Sequence, residues 1–318
     1  MTDVQLGQLG YGAANLGNFH RVLSDEECFA ILDAAWDAGI RYFDTAPHYG
    51  LGLSEVRLGA FLKDKPRDEY VISTKAGRLL RPNPDGEGTL DLDNDFHVPA
   101  ATKRVWDFST AGIETSLTES LERLGLDRVD VLYLHDPERH DLERGIAEAV
   151  PALVSLRDAG LVSAIGVGSM VTGALLASAR TGMLDLLMVA GRYTLAEQPA
   201  LAEVFPACES AGTGIVNASV FNSGLLASDN PGPGSRFEYG EVPSEVLERV
   251  LAIAAVCHEY AVDLPTAALQ FAGRHAAVRS VVIAGSRPAQ VTENAARMAE
   301  PVPDELWDAL TDRGLVPQ

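Results

Sequence analysis

Strand-like and helix-like segments alternate along this chain from end to end, and that rhythm limits the fold more than any other feature. Seven short runs, "IRYFDT", "YVISTK", "VDVLYLH", "VSAIGVG", "LDLLMVA", "TGIVNAS" and "VRSVVIAG", are apolar on both faces. Parallel strands covered by helices have that character. A weaker, glycine-rich run near the start, "VQLGQLGYGA", makes an eighth. The segments between them read as helices. "SDEECFAILDAAWDAG" opens with a capping box, Ser24 with Glu27, and closes at Gly39. Its Phe29, Ile31, Leu32, Ala35 and Trp36 fall on one helical face. Eight βα units in a chain of 318 residues predict an α/β fold, a single (β/α)8 TIM barrel over residues 1–318 with long loops on the C-terminal face. A doubly wound sheet is the alternative. It would want G-x-G-x-x-G after an early strand, and "GYGAANLG" echoes that only loosely.

Two segments break the rhythm. Residues 77–108 and 221–244 are rich in Pro, Gly, Asp and Asn, and both are too long to be plain connections. Both follow strands. In a barrel they therefore leave from the C-terminal face, where active sites lie. The first carries "WDF", so Trp106 and Phe108 are expected over the mouth, facing a substrate.

Three strands end in ionisable residues: Asp44, Lys75 and His135. Tyr49 follows Asp44 in "YFDTAPHYGLGLSE". One Asp and one Tyr alone would read as turn chemistry. Together the four make a coherent set. A phenol has a pKa near 10, and a lysine ammonium beside it favours the phenolate. A buried lysine needs a counter-ion, which Asp44 can supply. A neutral imidazole can orient a substrate oxygen. The set can move a proton at a carbonyl or alcohol carbon, but it contains no hydride donor, so a cofactor must supply one.

The net charge of -20 makes nonspecific binding to nucleic acid or an anionic membrane a poor expectation. Cys28, Cys208 and Cys257 lie far apart with no metal-binding spacing, and read as buried free thiols. No metal is expected. The N-terminus lacks a basic region followed by an apolar one, and no apolar run has the length of a membrane span, so a cytoplasmic protein is expected.

"FDTAPHYG", "STK" and "YLHD", in that order, resemble the motifs of the aldo-keto reductase superfamily, and the likeness runs from "LGYGAANLG" to "VTENA". Its members are (β/α)8 barrels that use nicotinamide cofactors and an Asp, Tyr, Lys, His tetrad. The resemblance implies Tyr49 as general acid/base, Lys75 and Asp44 tuning it, and His135 orienting the substrate. "KRVWDFS", "AGRYTL" and "VFNSGLLA" are similar to the branch of D-threo-aldose 1-dehydrogenases and L-fucose dehydrogenases. Those enzymes oxidise the anomeric carbon of a sugar of the L-fucose, D-arabinose or L-galactose type to a lactone. The alternatives are a pyridoxal 4-dehydrogenase, an NADPH-dependent aldehyde or ketone reductase, or a nucleotide-binding sensor or regulatory subunit. The expected partner is a small sugar or related hemiacetal or aldehyde, with the oligomeric state open.

The same likeness implies a cofactor site. Gly285, Ser286, Arg287, Gln290, Glu293 and Asn294 would hold the adenosine phosphate end, with Ser219, Phe221, Asn222, Gly224 and Leu225 along the pyrophosphate and ribose. Gly12 and Ala13 would lie at the end of the first strand. Many NADP-using relatives carry arginine where Gln290 stands, which leans toward NAD, although Arg287 leaves NADP open. Two departures affect the nicotinamide carboxamide. Gly168 and Ser169 replace the usual Ser-Asn, and Met188 replaces a glutamine. Ser169 with Arg192 or Tyr193 is then expected to hold the carboxamide. His48, Trp106, Phe108 and Tyr193 are the expected substrate residues.

Overall fold

A computed structural model describes residues 4–238 and 240–317. Its centre is a closed barrel of eight parallel strands. They are β1 (Leu9–Gly12), β2 (Tyr42–Asp44), β3 (Val71–Ala76), β4 (Val131–His135), β5 (Ala164–Ser169), β6 (Leu186–Ala190), β7 (Gly214–Ala218) and β8 (Val278–Ile283). Each pairs with its sequence neighbours, and β8 closes on β1. The open, doubly wound alternative is thereby replaced by the barrel.

Helices follow the strands and form an outer ring, beginning with Asp25–Asp37 and ending with Pro288–Ala299 and Asp304–Asp312. The capping box is present: the Glu27 amide donates to the Ser24 hydroxyl, and the Ser24 amide donates to the Glu27 carboxylate. Among the described residues no single helix is long and apolar enough to cross a membrane.

Strand alternation divides the core in two. Outward side chains such as Tyr11, Phe43, Ile72, Leu132 and Leu134 meet the helices. Inward ones, among them Tyr42, Tyr133, Met188, Val216 and Val282, fill the barrel. All three cysteines are buried and free in the helical layer.

The segment 77–108 is built rather than irregular. Arg78–Pro82 and Thr102–Trp106 pair antiparallel, and two short turns lie between them. The segment 221–244 contains a turn at Asn222–Ala227 and a two-residue hairpin, Arg236–Phe237 with Gly240–Glu241.

Candidate active site

The three strands that carry ionisable groups at their ends aim every second side chain inward. Asp44, Lys75 and His135 sit at the rim, with Tyr42, Ser73 and Tyr133 one layer deeper. Period-two geometry makes this arrangement automatic once the rim residue faces in.

Lys75 Nζ donates to Asp44 Oδ2 at 2.6 Å, to the Thr45 carbonyl at 2.9 Å and to the Tyr49 hydroxyl at 3.2 Å. The ion pair is buried on both sides. Burial alone would push the Lys75 ammonium down; Asp44 and Tyr49 more than offset that and hold it above the ordinary lysine value. Burial pushes the Tyr49 phenol up, and the Lys75 charge pulls it back only in part. The expectation that lysine lowers this phenol is correct for the lysine's own contribution, but burial wins.

His135 is buried, and its ring centroid lies 5.8 Å from that of Tyr49. Burial, reinforced by Arg78 and Lys75, holds it well below the usual histidine range, so the ring is neutral. His48 lies 5.6 Å from His135, centroid to centroid, and is likewise neutral, with its pKa lowered to about 2 by burial and the surrounding cations. Its Nδ1 is buried without a partner. Behind His135, Asp136 Oδ2 accepts from Arg78 at 2.5 Å.

Backbone packing fixes the tyrosine loop. Gly50 has φ +61°, and a Cβ there would lie 2.3 Å from the Gly17 carbonyl oxygen. A Cβ on Gly17 would lie 2.6 Å from the Tyr49 carbonyl carbon. Only glycine at both positions allows this approach. Arg104 NH2 donates to the His48 carbonyl at 2.7 Å while both its terminal nitrogens hold Asp91. The long segment is thus tied over the rim.

The aromatic ring it brings to the site is Phe96, 6.3 Å from Tyr49 and 5.4 Å from His48 by centroids. Nothing in the sequence around "NDFHV" marked it beyond its place in a long loop. Trp106 instead covers Arg78 at 4.4 Å and stacks on His140. Phe108 is a correction: it is buried in the helical layer against Trp106 and His140. Tyr193 is another, because its ring packs among Phe205, Phe271 and His275 outside the barrel. An apolar ring next to a strand end is satisfied as well by the helices as by a pocket.

From β5 to β7 the inward rim positions are Gly168, Ala190 and Ala218, and β1 adds Gly12. Ser169 points the other way. Its hydroxyl donates to Glu138 Oε1 at 2.6 Å and accepts from the Val171 amide at 2.9 Å. Arg192 is tied to Glu197 and Glu238. Neither the Arg192 nor the Tyr193 expectation for the carboxamide therefore finds a free side chain at the rim.

After β7 the chain turns through Ser219, Asn222, Ser223 and Gly224, all at positive φ. Asn222 is buried with Oδ1 unpartnered, Phe221 is half-buried, and Leu225 is a core residue that offers only backbone. After β8, Gly285 and Ser286 lead into Pro288–Ala299. The Tyr11 hydroxyl donates to the Gly285 carbonyl, and Gln290 accepts from the Ser286 amide at 2.9 Å. Arg287 and Glu293 are exposed, Asn294 is buried, and Ala13 is buried beside β1.

The Aldo/keto reductase family profile matches residues 8–313. A D-threo-aldose 1-dehydrogenase from a Pseudomonas species is 62% identical over 97% of this chain and 94% of its own length. A pyridoxal 4-dehydrogenase from Microbacterium luteolum is 36% identical over 99% of this chain and 96% of its own. An aldo-keto reductase from Bacillus halodurans, solved in its holo form, superposes with a TM-score of 0.77 at 24% identity, covering 100% of this chain and 94% of that one.

Proposed function

Because the chain belongs to the aldo/keto reductase family, we propose that it oxidises the anomeric carbon of a free aldose to a lactone, with Tyr49 as general acid/base. The observation that carries the reading is the Lys75 ammonium held at once by Asp44, at 2.6 Å, and by the Tyr49 hydroxyl, at 3.2 Å. The 62% identity to a D-threo-aldose 1-dehydrogenase supports the aldose; the pyridoxal enzyme is a more distant relative.

Enzymes of this family use nicotinamide cofactors, and a bound nicotinamide supplies the hydride acceptor. The residues present fit such a group. The inward rim positions Gly168, Ala190, Ala218 and Gly12 carry no side chain larger than a methyl, as the approach of a flat ring requires. The helix N-terminus at Gly285 and Ser286 suits a phosphate, and its first turn carries no acid. The unpartnered Asn222 Oδ1 offers an acceptor on the path between them. We favour NAD over NADP because Gln290, which closes on the Ser286 amide, is uncharged, and the Arg21 guanidinium beside it is already engaged by the Ser286 carbonyl and Glu27.

In this reading Tyr49, as phenolate, takes the proton of the anomeric hydroxyl while the C1 hydride leaves. Lys75 stabilises the phenolate, and Asp44 keeps Lys75 charged. The neutral His135 and His48 can each donate to a sugar oxygen without adding charge. Since burial raises the Tyr49 phenol, oxidation should quicken as pH rises toward that value. The buried free thiols are compatible with a reducing compartment, and a cytoplasmic location is part of this proposal.

The test is reduction of NAD+ and NADP+ with L-fucose, D-arabinose, L- and D-galactose and pyridoxal. Turnover of one or more aldoses with NAD+ is expected. Turnover of pyridoxal alone overturns the substrate, and nucleotide binding without any turnover overturns the enzyme in favour of a sensor.

A further inference from the structure

Below the rim, buried hydroxyls run in line toward Asp44. The Ser73 hydroxyl contacts Asp44 Oδ1 at 2.7 Å, the Tyr42 hydroxyl contacts Ser73 Oγ at 3.0 Å, and the Tyr133 hydroxyl lies 3.4 Å from that of Tyr42. Tyr42, Ser73 and Tyr133 are fully buried. The side chain of Gly10 is missing where the Tyr42 ring stands: a Cβ there would lie 2.5 Å from it. The barrel interior is therefore shaped around this row.

The direction of the row follows by elimination. A carboxylate only accepts, so Ser73 donates its one proton to Asp44. Tyr42 must then donate to Ser73, which leaves its oxygen free to accept from Tyr133. Burial keeps both tyrosines protonated far above the working range, so the direction does not reverse with pH.

We propose that Ser73, backed by Tyr42 and Tyr133, is a positioning element that points three O–H dipoles at Asp44 and so sets the charge Tyr49 feels. Asp44 is faced by Lys75 and Ser73 from β3, by Tyr42 from its own strand and by Tyr133 from β4. Tyr49 is faced by Lys75, His48, His135 and Asp136. With the Ser73 proton gone, Asp44 presents a barer charge. It then draws Lys75 harder and repels the phenolate, so the Tyr49 phenol should rise further.

This rests on the role given to Tyr49 above, so the test includes a readout that needs no substrate. The Cζ resonance of 13C-labelled tyrosine, assigned by its loss in Tyr49→Phe, reports the phenol directly. Ser73→Ala should move that titration up by about half a unit or more and lower kcat by roughly tenfold or more, as loss of a hydrogen bond to a charged group does. Dissociation constants for NAD+ should stay within twofold. Tyr42→Phe keeps the ring and should shift the titration in the same direction by less, and it carries the test alone should Ser73→Ala fail to fold. A Tyr49 titration unmoved in the folded variants overturns the proposal, whereas a moved titration in an enzyme that turns over no aldose would sink only the substrate reading.

Discussion

From β2 to β4 the rim carries Asp44, Lys75 and His135, all buried, with a second polar layer beneath them. From β5 round to β1 the corresponding inward positions are Gly168, Ala190, Ala218 and Gly12, over Met188, Val216 and Val282. One arc is crowded with groups that hold each other's charge; the other is nearly bare. A buried ion pair survives only when further hydrogen bonds complete it, so chemistry in the first arc needs depth as well as a rim. A flat ligand needs space and little else, which small side chains supply. Under the proposed function the difference amounts to a division of labour: one side of the barrel would move the proton, and the other would accommodate what receives the hydride.

The largest blow to the crowded arc should come from Tyr49→Phe. Losing general acid-base help should cut kcat by roughly 10² to 10⁴. Nucleotide affinity, read by fluorescence titration, should barely change; a loss below tenfold in kcat would remove Tyr49 from its role. Lys75→Met comes next. It should slow oxidation and move the alkaline limb of the pH–rate profile upward, because the phenol loses the cation that holds it down. An unmoved limb would break the coupling inside the arc.

The bare arc should fail differently. Ala218→Leu adds bulk where room is needed, and overpacking of this kind costs about 1–3 kcal/mol. Nucleotide should bind roughly tenfold more weakly, by that same cost, while the pH profile stays in place. A shifted profile with intact nucleotide affinity would erase the distinction between the arcs. Trp106→Ala should have the smallest effect on turnover of the four. The ring lies over the buried Arg78 guanidinium rather than Tyr49, and a desolvated cation–π contact is worth about 2 kcal/mol of stability. Melting temperature should fall, with KM for the sugar changed less than threefold.

Much of the crowded arc is legible in the sequence because it breaks a pattern. Asp44, Lys75 and His135 are ionisable residues where apolar strands end. The layer beneath is not legible, since Tyr42, Ser73 and Tyr133 sit inside strands where tyrosine and serine are ordinary occupants. Only the register of three neighbouring strands shows that their hydroxyls meet. The eight-strand barrel follows from the alternation of segments, but the hairpin in 77–108 is hidden by its charged, short strands. Phe108 and Tyr193 mislead for the opposite reason: each stands near a strand end, and which layer receives a ring is settled by packing. The bare arc reads as ordinary small residues, since absence of a side chain carries no signal until its neighbours are known.

The backbone contact between Gly17 and Gly50 has a practical side. The Tyr49 loop is registered by main chain against main chain at Gly17 and Gly50, with Lys75 hydrogen-bonded to the tyrosine hydroxyl and Arg104 to the preceding carbonyl. His48 and the rings of the long loop can therefore be exchanged as replaceable parts. If the proposed function holds, a search for altered sugar preference belongs at His48 and Phe96, with Gly17 and Gly50 left untouched as the fixture on which every variant is mounted.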